Sequence, residues 1–189
     1  MASTRKSKCV IESDNRHRRL RARQVTLREG SDPEAFADFI ADGLRRGKAI
    51  DCFDYVPSNA RMLYAALRGM RVRRFCEWGS GIGIGLGVAA MRGLEACGIE
   101  IHPELAEASR RLLADYRLPA TVITGSYFDV PSAADIYFNY SWPSQWRSVE
   151  EHFLAVAPRN ARLLICYGAD DIRCKRIVES SSATRRKIK

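Results

Sequence analysis

The chain of 189 residues carries 31 Lys/Arg against 22 Asp/Glu, a formal net charge of +9, and is 46% apolar. That length and balance suit one globular domain with a core of its own. The longest run free of Asp, Glu, Lys and Arg, Trp78 to Met91, is too short for a spanning helix, and no apolar stretch near the N-terminus reads as a secretory signal.

Residues 1–30 hold nine basic and three acidic residues, a local charge of +6. They contain no Phe, Trp or Tyr. They read as a solvated, disordered basic tail that can make weak phosphate contacts but offers no stacking platform. Ser31-Asp32-Pro33-Glu34 then reads as a capping box, with Ser31 as N-cap. Phe36, Phe39, Ile40 and Leu44 follow at helical spacing up to Gly47. After a loop over 51–58, a second helix over about 58–69 lines up Leu63, Ala66, Leu67 and Met70. Residues 31–70 are thus expected to form a helical cap.

From residue 72 the pattern alternates. Val72–Trp78 is a strand, Gly79–Gly83 a turn and 84–93 a helix. Glu95–Ile101 is a strand and 103–116 a helix opened by Pro103. Strands follow at 120–124, 135–140 and 162–167, with helices at 144–157 and 169–179. This order predicts an α/β fold, a doubly wound and mostly parallel sheet over residues 71–179. Residues 180–189 form a second basic tail. Residues 172–189 carry +6, so the segment 31–171 is left at −3.

The six cysteines show no CxxC pair, which points to a reducing, cytoplasmic setting. Cys76, Cys97 and Cys166 lie in apolar runs and read as small core residues. His17, His102 and His152 form no triad with a nucleophile, and no residue spacing suggests a metal site.

The segment with most chemical content is Glu77-Trp78-Gly79-Ser80-Gly81-Ile82-Gly83, between a strand and a helix. It is not a dinucleotide fingerprint, because the starts at Gly79, Gly81 and Gly83 place Ile84, Leu86 and Val88 where the last glycine belongs. It is not a P-loop either, since no Gly-Lys follows at the required distance. The pattern is E-x-G-x-G-x-G, and the next strand ends Gly98-Ile99-Glu100-Ile101-His102-Pro103.

These two segments resemble the first two motifs of the class I, Rossmann-like S-adenosylmethionine methyltransferases. The resemblance implies a cofactor site. Glu100 takes the ribose hydroxyls, with Ile101 beside it. Glu77 lies near the amino end of the methionine moiety, and Gly79, Ser80, Gly81 and Gly83 build the turn around it. A carboxylate suits the ribose role because it accepts two O–H bonds. After the third strand the family has Gly-Asp, and this chain has Gly125-Ser126-Tyr127-Phe128-Asp129. Ser126 is expected to bond adenine there, with Tyr127 or Phe128 against the ring. Tyr55-Val56-Pro57-Ser58 and Gly98–Leu105 are also similar to small non-SET protein-lysine methyltransferases.

The fourth strand ends Asn139-Tyr140-Ser141-Trp142-Pro143, the place where this family aligns sulfonium and acceptor. Asn139, Tyr140 and Trp142 are the catalytic candidates: Asn139 to align an amine and touch the cofactor, Tyr140 and Trp142, with Tyr55, to form an aromatic cage. The order differs from the N/D-P-P-Y/F/W of nucleic-acid N-methyltransferases, which disfavours a base as acceptor. The expected acceptor is a protein lysine or a small molecule. The family's sheet closes with an antiparallel hairpin after strand five. Only 22 residues follow Tyr167 here, so that hairpin is expected to be missing. The edge would then be open to homodimerisation, or covered by Cys9-Val10-Ile11. Two rival readings remain: a non-catalytic S-adenosylmethionine-binding scaffold, and an RNA-associated protein acting through its basic termini.

Overall fold

The computed structural model describes residues 18–168 and 170–179. Seven strands form one sheet: β1 (Arg18–Gln24), β2 (Arg74–Trp78), β3 (Glu95–Glu100), β4 (Ala120–Thr124), β5 (Ile136–Tyr140), β6 (Arg162–Gly168) and β7 (Asp171–Glu179). Among the described residues five α-helices accompany them: α1 (Phe36–Lys48), α2 (Ala60–Arg68), α3 (Ile84–Met91), α4 (Pro103–Asp115) and α5 (Trp146–Val156). The strand order is β1-β7-β6-β5-β2-β3-β4. β2 to β6 run parallel, β7 is antiparallel to β6, and β1 is antiparallel to β7.

The middle strands are mostly apolar because both faces are covered, with Glu77 and Asn139 as buried polar exceptions. Phe75, Phe138 and Leu164 face a core shared with α1, α2, α3 and α4. Cys76, Trp78, Tyr137 and Ile165 face a second core built on Val149 and Phe153 of α5. Cys76 and Cys166 are buried, whereas Cys97 is half-buried, opposite Cys76. The parallel strands end together at one edge. The β2–α3 turn, the end of β3 and the end of β5 therefore meet there, where an open α/β sheet forms its crevice.

Two expectations are corrected. Residues 171–179 are a strand, not a helix: Ile172 and Cys174 are buried while Arg173 is exposed, a period of two. Gly168 pairs with Asp171, so one antiparallel strand follows the fifth parallel strand and pairs directly with it, while the outermost strand comes from the N-terminal side.

The second correction lies in the N-terminal basic segment. Arg18–Gln24 is ordered as an edge strand and covers β7 in place of Cys9-Val10-Ile11, which lies outside the described residues. Its sequence hides the strand because only Leu20 offers an apolar side chain of size, and that one packs with Ile177 in the α5-side core. Arginines along the edge discourage further pairing of that edge with another sheet.

The ends of the cap also differ. α1 begins at Phe36 behind Ala35, which has φ 62°, and not at Ser31. Asp32 of the expected capping box pairs instead with Arg61. α2 is capped by Asn59, whose side chain accepts from the Met62 N–H at 3.0 Å.

Arg18 ties the edge strand to the layer beneath. Its guanidinium donates to the carbonyls of Leu154 (2.6 Å) and Ala157 (2.9 Å) at the C-terminal end of α5. Cations belong at that end of a helix. Arg18→Ala is expected to lower unfolding free energy by about 1–2 kcal/mol in urea titration. An unchanged midpoint would mean that β1 contributes nothing to α5.

Candidate cofactor and acceptor site

At the C-terminal edge of the parallel strands lies a cleft of about 370 Å³. Its floor is the turn from Trp78 to Ile82. Gly79 and Ser80 both donate their N–H to the Ile99 carbonyl (2.9 and 3.1 Å), and Gly83 donates to the Ser80 carbonyl (2.8 Å). Gly81 donates to Glu100 Oε2 at 2.6 Å. Four N–H groups of the turn are thus engaged inside the protein. A loop built to cradle phosphate leaves such donors pointing outward, so this turn holds something else.

Two carboxylates flank it. Glu100 is 4% exposed, and its Oε1 accepts from the His102 N–H at 2.9 Å. Glu77 is 5% exposed. It lies against α3 because Gly85 leaves room: a Cβ there would sit 2.4 Å from Glu77 Oε1. The Leu86 backbone N–H donates to Glu77, yet Oε2 is buried without a partner. Burial, and then the charge of Glu100, hold the Glu77 carboxyl well above the usual carboxylate range.

Tyr55 roofs the turn. Its ring is wedged between Gly47 of α1 and Gly81, where a Cβ would lie 2.5 and 2.6 Å from ring carbons. Gly81 also has φ 53°, so both its backbone and the ring above it demand glycine. Burial and the two carboxylates push the Tyr55 hydroxyl up, so it stays protonated and acts as a donor. That hydroxyl and the Ser80 hydroxyl are both buried and unpartnered. The Ser80 hydroxyl lies against Gly98, where a Cβ would sit 2.7 Å from it, so the orphaned groups beside the cleft are one acceptor, Glu77 Oε2, and one donor, the Tyr55 hydroxyl. Among the described residues no Lys or Arg lines the cleft.

The other end of the cleft is aromatic: Tyr140, Trp142, Trp146 and Tyr167 line it with Pro143. Trp146 donates Nε1–H to the Ser141 carbonyl (3.1 Å) and meets the Tyr167 ring edge to face at 4.3 Å. Trp142 is 43% exposed at the mouth.

No protein-family model and no curated protein sequence matches the chain. Solved structures do. The chain is similar to an RNA methyltransferase from Salinibacter ruber in complex with S-adenosyl-L-homocysteine, at 16% identity and TM-score 0.57 over 66% of this chain and 95% of that one. It is similar to a methyltransferase from Geobacter sulfurreducens at 19% identity and TM-score 0.57, covering 71% of each chain. An O-methyltransferase from Bacillus cereus in complex with SAH aligns at 15% identity and TM-score 0.56 over 71% of this chain and 66% of that one.

The chain has the Rossmann-like fold of class I methyltransferases.

Within this methyltransferase fold, the structure brings eleven of the anticipated residues to one cleft: Tyr55, Glu77, Gly79, Ser80, Gly81, Glu100, Ile101, Tyr127, Asn139, Tyr140 and Trp142. Gly83 stands just behind it as the N-cap of α3. Ser126 stays outside the cleft lining, since its hydroxyl accepts from the Phe128 N–H (3.2 Å) and closes its own loop. Tyr127 reaches the cleft by stacking on Trp78, ring centroids 5.4 Å apart and planes 10° apart.

Asn139 is placed as anticipated but differently engaged. Its amide donates to the Trp78 carbonyl (3.0 Å), and its oxygen accepts from the Ser141 hydroxyl (2.7 Å). It therefore fixes the turn and the β5 end before it can align any acceptor. Trp146, Tyr167 and Gly168 were missed. Trp146 opens an amphipathic helix and Tyr167 ends an apolar strand, so both read as packing residues.

Proposed function

We propose that this cleft binds S-adenosylmethionine and that the protein transfers its methyl group to a nucleophile held against the aromatic end. The partnerless groups of Glu77 and Tyr55 in the cleft lining carry the reading. An amino-acid zwitterion needs an acceptor for its ammonium and donors for its carboxylate; Glu77 Oε2 is such an acceptor and the Tyr55 hydroxyl such a donor. A cleft with two buried carboxylates and, among the described residues, no Lys or Arg also favours a positively charged ligand.

The cofactor supplies an electrophilic methyl group on a sulfonium. Glu100 retains lone pairs for ribose hydroxyls, and Ile101 and Tyr127 flank the place for adenine. Asn139 acts as a positioning residue through Trp78 and Ser141. Tyr140, Trp142, Trp146 and Tyr167 hold the acceptor and exclude water. Alignment of this kind can supply roughly 7–11 kcal/mol of a displacement barrier. The acceptor end carries no buried base, so an amine acceptor arrives neutral or yields its proton to solvent. Aromatic faces suit a protein lysine or a small apolar or cationic molecule. Calorimetric titration of the full chain with S-adenosylhomocysteine tests the reading. One site with micromolar affinity is expected, and no binding at millimolar ligand would sink it.

A further inference from the structure

We propose that the face of β6, β7 and β1 opposite α5 is a binding surface for the phosphate backbone of a nucleic acid. This inference goes beyond the methyl-transfer reading and does not depend on it. Leu20 and Ile177 pack into the α5-side core, so strand alternation turns Arg19, Arg21 and Arg23 to the other face. Arg21 pairs in register with Arg176, and Arg176 with Arg162. The positive charges of Arg176, Arg162 and Arg23 all act on the Cys174 thiol, which lies in the core on that face. Five arginines therefore share one patch.

None of the five has an ion-pair partner among the described residues. Their charged neighbours do: Arg159 with Glu179, Arg173 with Asp171 and Lys175 with Glu150. Arg19, Arg21, Arg23 and Arg176 are exposed, and Arg162 is half-buried. Alternate residues of a strand repeat about every 6.6 Å, so Arg19, Arg21 and Arg23 make a regular row of cationic forks. Guanidinium forks match phosphate oxygens two at a time.

A protein partner would need an apolar centre to its interface, and between these arginines only Val178 is offered, half-buried. The strand positions of the patch hold no aromatic ring, so contact is with the backbone and is indifferent to base sequence.

The test is fluorescence anisotropy of the full chain with a labelled, unstructured ~20-nucleotide RNA and the DNA of the same sequence, titrated across salt. Five phosphate contacts predict a log–log salt slope of about −3 or steeper. The triple variant Arg19→Gln, Arg21→Gln, Arg176→Gln is expected to reduce that slope by about 2 and to weaken low-salt binding at least about tenfold. Tighter binding of one polymer names the source. A thermal melt matching the wild type shows that the variant folds, and unchanged S-adenosylhomocysteine binding separates this surface from the cleft. Three results would overturn the proposal: no binding of either polymer at low salt, the same slope in variant and wild type, or equal competition by an oligoglutamate peptide.

Discussion

Glu100→Ala is expected to weaken S-adenosylhomocysteine binding by about a hundredfold or more. Two hydrogen bonds to a charged group are lost, each worth about 1.5–3 kcal/mol, and each 1.4 kcal/mol is a factor of ten. The same carboxylate holds the Gly81 and His102 N–H groups. Alanine leaves the Gly81 donor without its partner, so the variant also loses about 1–3 kcal/mol of stability. Glu100→Gln separates the two effects. Its amide oxygen can still accept one of those N–H bonds, so it melts close to the wild type, yet without the charge it binds weakly. Calorimetry and thermal melting on both variants decide the matter. If both bind as tightly as the wild type, Glu100 serves only to brace the turn.

That double duty explains why part of the site was legible and part was not. A carboxylate at a strand end, placed after a glycine turn, is visible in sequence because backbone geometry dictates both positions. Gly79 and Gly81 are legible from that strand–turn–helix context, and Glu77 and Glu100 through the resemblance of their two segments to class I methyltransferase motifs. What a side chain bonds to is not visible. Ser126 and Asn139 were equally polar candidates at equally suitable loop positions. One closes its own turn and the other braces Trp78 and Ser141. Strands β2, β5 and β6 were legible because burial on both faces makes most of their positions apolar. β7 and β1 were not, because α5 covers them on one face and the opposite face is largely open to solvent. Their outward positions are free to be arginine, and Arg18–Gln24 then reads as a tail. The basic charge that looked like disorder belongs partly to the sheet.

Glu77 gives the second large effect, and it depends on pH. In the free protein burial and Glu100 hold its carboxyl above the ordinary range, against the single bond from Leu86. A bound ammonium at Oε2 would favour the carboxylate, so binding releases a proton. Affinity for S-adenosylhomocysteine should therefore rise with pH, by close to tenfold per unit while free Glu77 is protonated, and then level off. Glu77→Gln should bind at least about tenfold more weakly above that range and lose this pH dependence. Titrations in two buffers of different ionisation heat would count the proton directly.

Stability runs the other way. The folded state holds the Glu77 proton more tightly than the unfolded chain does. Its contribution is complete below the unfolded carboxylate range near pH 4.3 and declines as pH rises through the raised folded value. The ligand-free Glu77→Gln protein should then melt a few degrees above the wild type in mildly alkaline buffer and level with it in acid. A wild-type affinity that ignores pH, together with a glutamine variant that melts lower in alkaline buffer, would place Glu77 in the fold and outside the ligand site.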